Sequence, residues 1–448
     1  MRLIPFIPDE AFVFLGAQGP AQPGWRTFMP SRIYFDHSAT TPLDPRVLDA
    51  MLPFLGESFG NPSSTHHEGK TARAAVEKAR AQVAALVGAV PEEIIFTASG
   101  TEADNLALIG AVGGSGEAGH IVTSAVEHAA ILETCRFLAW HGTRVTYLPV
   151  DSDGRVKMSN LLSALQSQVT LVSIMAANNV VGTVQPIEEL AHVTKLHGVL
   201  FHTDAVQAGG KVPLDLQQLH VDLLSLSAHK LHGPKGVGAL YVRNGVKLSP
   251  IVYGGGQERG LRSATENVAG IVGFGAAAEI ARGELTAEVL RLRDLRDFMA
   301  REIQLNFPRA YVFGHPVQRL PGHLSIGFRG LESQTGALLT SLDEAGVAIS
   351  AGSACNAHNS GEPSHVLVAM GYDNVRASGL LRISLGRFST REQVERFVGI
   401  LSAAVARVEH NRDGIGEPLG QMNSLIGASV GDPAGAALPP FAAARNSA

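Results

Sequence analysis

The chain has 448 residues, and its 36 Lys plus Arg against 41 Asp plus Glu give a formal net charge of −5. That balance excludes a global basic footprint for direct nucleic-acid binding and a polybasic membrane patch. Hydrophobic residues make up 45% and charged residues 17%, a globular composition, and the 49 Gly and 23 Pro fall short of a disordered one. The length suits two or three units, or one large domain with a smaller partner. Two cysteines, Cys135 and Cys355, exclude a disulfide framework and a Cys-rich metal or cluster site held by one chain, and they make a reducing, cytoplasmic compartment the expectation. No apolar run reaches the ~18–20 residues of a membrane span. Residues 1–31 carry Asp9, Glu10 and several Pro and Gly, fit neither a signal nor a transit peptide, and are expected to form a partly disordered extension.

Strand-like runs alternate with helical patterns from about residue 63 to 241. Residues 94–97 read as a strand, followed by Gly100-Thr101 at a helix start. Further strands are expected at 120–124, 145–148, 169–175, 199–203, 222–227 and 238–242, with a helix over 186–196. This alternation predicts an α/β architecture with a large, mostly parallel sheet. From about residue 265 the pattern changes to two long helices, 265–281 and 285–304, then scattered strands at 323–328, 347–350 and 381–384. A last helix is expected from Ser389, because Glu392 three residues on completes a capping box. The expected organisation is a large domain over 46–285 and a small α+β domain made from 32–45 and 286–412. Residues 413–448 are expected to be a flexible tail.

The residues that carry chemistry stand at the ends of the expected strands. Ser227-Ala228-His229-Lys230 closes one strand, and Asp204, with Gln207 three residues on, stands just past the preceding one. Ligands of open α/β sheets bind at such strand ends. An isolated Lys after a strand is ordinarily a solvated loop residue. An Asp beside a Lys in that crevice suits pyridoxal 5'-phosphate, with Lys230 as the Schiff-base amine and Asp204 keeping the pyridine nitrogen protonated. Gln207 is placed to reach the phenolic oxygen. Gly100-Thr101 at a helix start offers an anion site, although a simple cap explains it equally, and Ser227 and His229 are further phosphate donors. His128 and the pair Asn178-Asn179 also follow strands; alone, they read as a satisfied histidine and a turn. Cys135 lies in an apolar helical pattern. Cys355 lies in Gly352-Ser353-Ala354-Cys355-Asn356, and on the residues alone a reactive nucleophile and an ordinary loop thiol remain equal readings.

Together these strings resemble the cysteine desulfurases of the nitrogen-fixation and iron–sulfur-cluster group, in the class V aminotransferase family. The resemblance runs from about Ile33 to His410. It includes Asp36-His37-Ser38-Ala39-Thr40-Thr41-Pro42, Gly60-Asn61-Pro62-Ser63 and Phe96-Thr97-Ala98-Ser99-Gly100-Thr101-Glu102. It continues through Asp204-Ala205-Val206-Gln207, Ser227–Lys230, Gly254–Gly260 with Arg262–Thr265, Gly352–Cys355 and Arg382–Arg387. The resemblance implies the aminotransferase-like fold of pyridoxal-phosphate enzymes (fold type I). It assigns Lys230 as the Schiff-base lysine, Asp204 to the pyridine nitrogen, His128 to ring stacking and proton transfer, and Asn179 and Gln207 to ring substituents. Gly100, Thr101, Ser227 and His229 would hold the phosphate. Thr265 would reach the phosphate of a neighbouring subunit, implying a homodimer. Arg382, with Asn179, would bind the substrate, and Cys355 would take sulfur from L-cysteine as a persulfide, leaving alanine. The implied partners are protein sulfur acceptors such as an iron–sulfur scaffold; no metal ligand set is implied. A selenocysteine lyase, or another enzyme of the class V family, is the alternative. The sequence departs from the family pattern at Val180, where an acid is usual, at Ala264, where Gly is common, in the tail after His410, and in 355–362, about one residue longer than usual, and it has Ala129 where the mammalian selenocysteine lyases carry an acid.

Overall fold

The computed structural model describes residues 32–115, 119–352 and 363–412. The expected extension 1–31, the expected tail 413–448 and Cys355 lie outside the described residues. In chain order the elements are β1 (Ile33–Tyr34), α1 (Pro45–Leu55), α2 (His67–Leu86), β2 (Ile94–Thr97), α3 (Gly100–Ser115), β3 (His120–Ser124), α4 (Ala129–Trp140), β4 (Arg144–Leu148), α5 (Met158–Ala164), β5 (Leu171–Ser173), α6 (Ile187–Leu196), β6 (Leu200–Asp204), β7 (Leu223–Ser227) and β8 (Gly238–Val242). There follow α7 (Val268–Asn306), β9 (Ala310–Val312), β10 (His323–Phe328), α8 (Thr335–Glu344), β11 (Val347–Ala348), β12 (Ser350–Ala351), α9 (His365–Ala369), α10 (Asn374–Ser378), β13 (Leu381–Ser384) and α11 (Arg391–Arg412).

A seven-stranded sheet runs in the order β2-β8-β7-β6-β5-β3-β4. The four pairings from β7 to β4 are parallel, and β8 alone runs antiparallel to its neighbours β7 and β2. Strands β2, β3, β5, β7 and β8 are buried at every position, so helices must cover both faces, as parallel sheets require. Asp204, expected just past its strand, is the last residue of β6. A second sheet, β12-β13-β10-β9, is antiparallel, and β1 pairs with β11. The expected single strand over 347–350 is therefore two short pieces that join different sheets. An apolar cluster separate from that of the large sheet joins Ile33 and Phe35 to Leu292, Met299, Ile383, Phe397 and Leu401.

Two helical expectations are corrected. The helices expected at 265–281 and 285–304 are one helix, α7, of 39 residues, beginning after the Asn267 cap, whose side chain accepts the Gly270 N–H at 3.1 Å. Gly283, which lies between the two expected helices, costs a helix only about 1 kcal/mol. Both ends of α7 are anchored: Ile271, Phe274 and Ala278 in the large-sheet core, and Leu292, Leu295 and Met299 in the other. The capping box of the last helix lies one residue later than expected. Gln393 N–H donates to Thr390 Oγ1 at 3.3 Å, and Thr390 N–H donates to Gln393 Oε1 at 3.1 Å. Ser389 instead accepts the Gly386 N–H through its hydroxyl, at 3.0 Å.

The Gly-rich loop that precedes α7 is pinned by ion pairs. Arg80 of α2 meets Glu258 in a fork-to-fork pair, with both N···O distances 2.8 Å, and both side chains are buried. Glu258 also accepts the Phe96 N–H at 2.8 Å. Arg262 pairs with Glu102 and Arg73 with Glu266, each at 2.7 Å. Arg80→Met should strand a buried carboxylate and cost about 3–5 kcal/mol. The double variant Arg80→Met/Glu258→Met should recover part of that loss. Urea unfolding of the three proteins measures both effects, and equal stability of Arg80→Met and the parent would refute the buried-pair account.

Candidate active site

At the carboxyl ends of the parallel strands lies a cavity of about 290 Å³. Gly100, Thr101, His128, Asn179, Asp204, Gln207, Ser227, His229, Lys230 and Arg382, ten of the residues singled out in the sequence, all line it. Their positions follow from the sheet: His128 comes after β3, Asn179 after β5, Asp204 ends β6 and Ser227 ends β7. The segment between β1 and α1, which carries Asp36–Pro42, closes the site like a strap. Lys230 Nζ donates to the carbonyls of Ser38 and Ala39, both at 2.7 Å, and Gln207 Nε2 donates to Ser38 O at 2.8 Å. Thr41 donates its N–H and its hydroxyl to His229 O.

The α3 start is an anion site. Gly100 and Thr101 are in its first turn, where N–H groups have no helical acceptor and the dipole is positive. Gly100 is required there, because a Cβ would come within 2.6 Å of Val206 Cγ2 and 3.3 Å of Ser227 Cβ. His128 caps α4: its Nδ1 accepts the Ala130 N–H at 3.1 Å, so the neutral ring carries its proton on Nε2. The Asn pair divides in role. Asn178 Oδ1 accepts the N–H groups of Val180 and Val181, which makes it the turn residue, while Asn179 faces the cavity. Arg382 is fully buried, with Nη2 on Asp36 Oδ1 at 2.9 Å, Nη1 on Asn179 O at 3.1 Å, and Nε without a hydrogen-bond partner. Val180, where an acid is usual, packs among Val126, Phe313, Val366 and Leu380, which suits an apolar side chain.

Two carboxylates share this cavity, and their environments differ. Asp104, one helical turn after Gly100, is wholly buried; burial first, then the charge of Asp204, pushes its pKa well up. Its Oδ1 has no hydrogen-bond partner. Burial also raises Asp204, but His128, the Val206 N–H at 2.9 Å and Lys230 act the other way. Asp104 therefore holds the proton and Asp204 the charge, the usual outcome when like charges meet in unequal surroundings. Beneath them His202 bonds to Ser173 and Ser225 hydroxyls at 2.9 and 3.1 Å, and burial lowers its pKa to about 3, so it is neutral.

Two further expectations fall elsewhere. Thr265 is exposed and does not line the cavity of its own chain. The residue before it, Ala264, has φ of 151°, a backbone region in which Gly is at ease and Ala is strained. Cys135 is buried in α4, and burial pushes its thiol up to about 12. Sequence reasoning missed Ser38, Ala39, Ser99, Asp104, Met175 and Val206, which also line the cavity. Only Asp104 carried a usable signal, its i+4 spacing from Gly100 on a helix that starts at the site.

The fold and site define a cofactor-dependent α/β enzyme, and comparison with known proteins narrows the class. Residues 33–397 match the family Aminotransferase class-V. "Cysteine desulfurase IscS" of Dictyoglomus turgidum is 46% identical over 381 residues, 85% of this chain and 96% of that protein. The protein of the same name from Methanosarcina thermophila is 46% identical, covering 84% of this chain and 93% of its own. The solved structure of a "NifS-like protein" superposes with a TM-score of 0.78 at 41% identity, covering 84% of this chain and all of the other. The chain belongs to the class-V aminotransferase family, whose cofactor is pyridoxal phosphate.

The residues present fit that group: an amine, a buried carboxylate and a helix start converge on one cavity of sufficient size. Asp104→Asn, isosteric with the protonated acid, should keep pyridoxal phosphate affinity within about threefold. Asp204→Asn should weaken it at least about tenfold, which corresponds to roughly 1.4 kcal/mol. Equilibrium dialysis of the two variants decides which acid carries the charge. Ala264→Gly should raise stability by about 1 kcal/mol in thermal unfolding, since it releases the strained φ.

Proposed function

We propose that this protein is a pyridoxal-phosphate-dependent cysteine desulfurase that removes sulfur from L-cysteine, leaves L-alanine and carries the sulfur as a persulfide on Cys355. The observation that carries the reading is the convergence of Lys230, Asp204 and Arg382 on one cavity, in a chain 46% identical to curated cysteine desulfurases over most of its length. When bound, the cofactor supplies an electron sink for the amino-acid skeleton. Lys230 holds it and moves a proton at Nζ. Asp204 keeps its charge against the ring nitrogen. The Gly100–Thr101 helix start, Ser227 and His229 hold the phosphate. His128 stacks on the ring and moves a proton at Nε2. Arg382, already braced by Asp36 and Asn179 O, takes the substrate carboxylate.

Cys355 Sγ attacks the substrate sulfur. A sulfur–sulfur bond forms and the carbon–sulfur bond breaks. The electron pair stays with the carbon skeleton, which is protonated to alanine. Cys135 does not compete, because a buried thiol with its pKa near 12 is not a thiolate. Delivery to a protein acceptor, such as an iron–sulfur scaffold, regenerates the thiol. The exposed Thr265, on a loop pinned by three ion pairs, supports a homodimer in which it reaches the phosphate of the second copy. No described helix is long and apolar enough to cross a membrane, and a content of two cysteines agrees with a cytoplasmic location.

Brief exposure to L-cysteine without reductant, followed by mass spectrometry, should find one added sulfur on Cys355. Cys355→Ser should load cofactor yet form no alanine, and Cys135→Ser should stay active. Sulfur on Cys135, or alanine from Cys355→Ser at the parent rate, would overturn the persulfide route. Borohydride reduction and peptide mapping should put the cofactor on Lys230; a label on Lys235 would refute that assignment.

A further inference from the structure

A second, smaller cavity of about 60 Å³ lies against the active site and is lined by two lysines, Lys230 and Lys211. Lys211 follows Gln207 by four residues. Its Nζ donates to Gln207 Oε1 at 3.3 Å, Gln207 Nε2 donates to Ser38 O at 2.8 Å, and Lys230 Nζ donates to the same carbonyl at 2.7 Å. A continuous hydrogen-bonded path thus joins the two amines. It also fixes the amide. A carbonyl can only accept, so nitrogen must face Ser38 and the oxygen must face Lys211. The second N–H of Gln207 is left for the active-site cavity, which Gln207 lines.

The surroundings single out Lys211 as the group brought toward neutrality. The groups facing Lys211 come from five directions. His37 belongs to the strap, His232 follows β7 and His323 is in β10. Burial lowers their pKa values to about 4, 3 and 3, so all three are neutral. His229, beside Lys230, is lowered to about 4. From α7, Glu288 is engaged by Arg291 at 2.8 and 2.9 Å, and after β13, Arg387 is engaged by Asp44 at 2.7 Å. Among the described residues no carboxylate pairs with Lys211. Burial, then the charge of Lys230, brings Lys211 down to about 7.

We propose that Lys211 is a positioning residue of the active site: it holds the Gln207 amide with its nitrogen toward the cofactor, and it is the charge that opposes protonation of Lys230. The proposal rests on the reading of Lys230 as the cofactor lysine. Two amines in one desolvated pocket cannot both be charged at little cost, so a proton on Lys211 disfavours one on the Lys230 nitrogen. Lys230 is thereby kept able to attack and to accept a proton.

The sign of the effect sets the test. A permanent cation in place of Lys211 lowers the pH at which the Lys230 nitrogen loses its proton when joined to the cofactor; a neutral side chain raises it. In the pyridoxal-phosphate-loaded enzyme, the visible absorption titrated against pH reports that midpoint. Lys211→Arg should titrate at least about one pH unit below Lys211→Met, with the parent between them. Lys211→Met should also loosen cofactor binding, Arg should restore it, and in a Gln207→Ala background Lys211→Met should add nothing. If Lys211→Met does not retain cofactor, Lys211→Gln, neutral but able to donate, is compared with Arg by the same criterion. Borohydride mapping of each variant separates the two readings. Coincident midpoints with the label on Lys230 overturn the role of Lys211 alone, whereas a label on any other lysine overturns the active-site assignment itself.

Discussion

The site depends on the contact between Lys230 and the strap Asp36–Pro42. Lys230 sits in the short turn that follows the buried strand β7, where its amine needs acceptors. The strap supplies two, Ser38 O and Ala39 O, from a segment nearly two hundred residues earlier in the chain. The same strap receives Gln207 through Ser38, grips His229 O through Thr41, and reaches the second sheet through Ser38 N–H on Ser384 Oγ at 2.8 Å. Removing its backbone carbonyls is impossible by side-chain substitution, so their geometry is set by the close fit of the strap. His37 shows how close that is: a Cβ on Gly386 would lie 2.1 Å from its ring.

Electrostatics inside the cavity work through unequal surroundings more than through the number of charges. Asp104 and Asp204 are both wholly buried, yet Asp204 has the Val206 N–H, Lys230 and His128 acting on it, whereas Asp104 has the Ser225 hydroxyl and, at 3.7 Å, the neutral His202. Lys230 and Lys211 form the corresponding cationic pair on the other side of Gln207. In the carboxylate pair one member remains charged at the expense of the other, and the role inferred for Lys211 divides the amines in the same way.

The large sheet and the residues that line the cavity were readable because both rest on local signals. Strands 94–97, 120–124 and 238–242 coincide with the observed elements, since short β-rich runs bounded by turns leave little freedom. Lys230, Asp204 and Gln207 were found because strand ends place them. What was not readable depended on distant partners. The continuity of α7 through Gly283 is decided by two cores that grip opposite ends of the helix. The division of 347–350 between two sheets is decided by β1 on one side and β13 on the other. The strap carbonyls have no side-chain signature at all. The roles of Asn178 and Asn179 could be separated only once the turn had a geometry.

Arg382 and Asp36 carry the site into the second sheet. Asp36 accepts from Arg382 through Oδ1 and from Ser350 through Oδ2 at 2.6 Å. Ser350 is opposite Arg382 in the β12–β13 ladder, and the chain passes from there through Gly352 toward Cys355. Gly352 is tightly seated: a Cβ would come within 2.2 Å of Leu380 Cδ2. A substrate carboxylate arriving at Arg382 therefore meets a guanidinium already compensated by Asp36. Its gain is the difference between the two partnerships, not the full value of a buried ion pair. That arrangement avoids an uncompensated buried cation before substrate arrives. It also makes Asp36 an acid shared by Arg382 and β12, the strand that runs into Gly352.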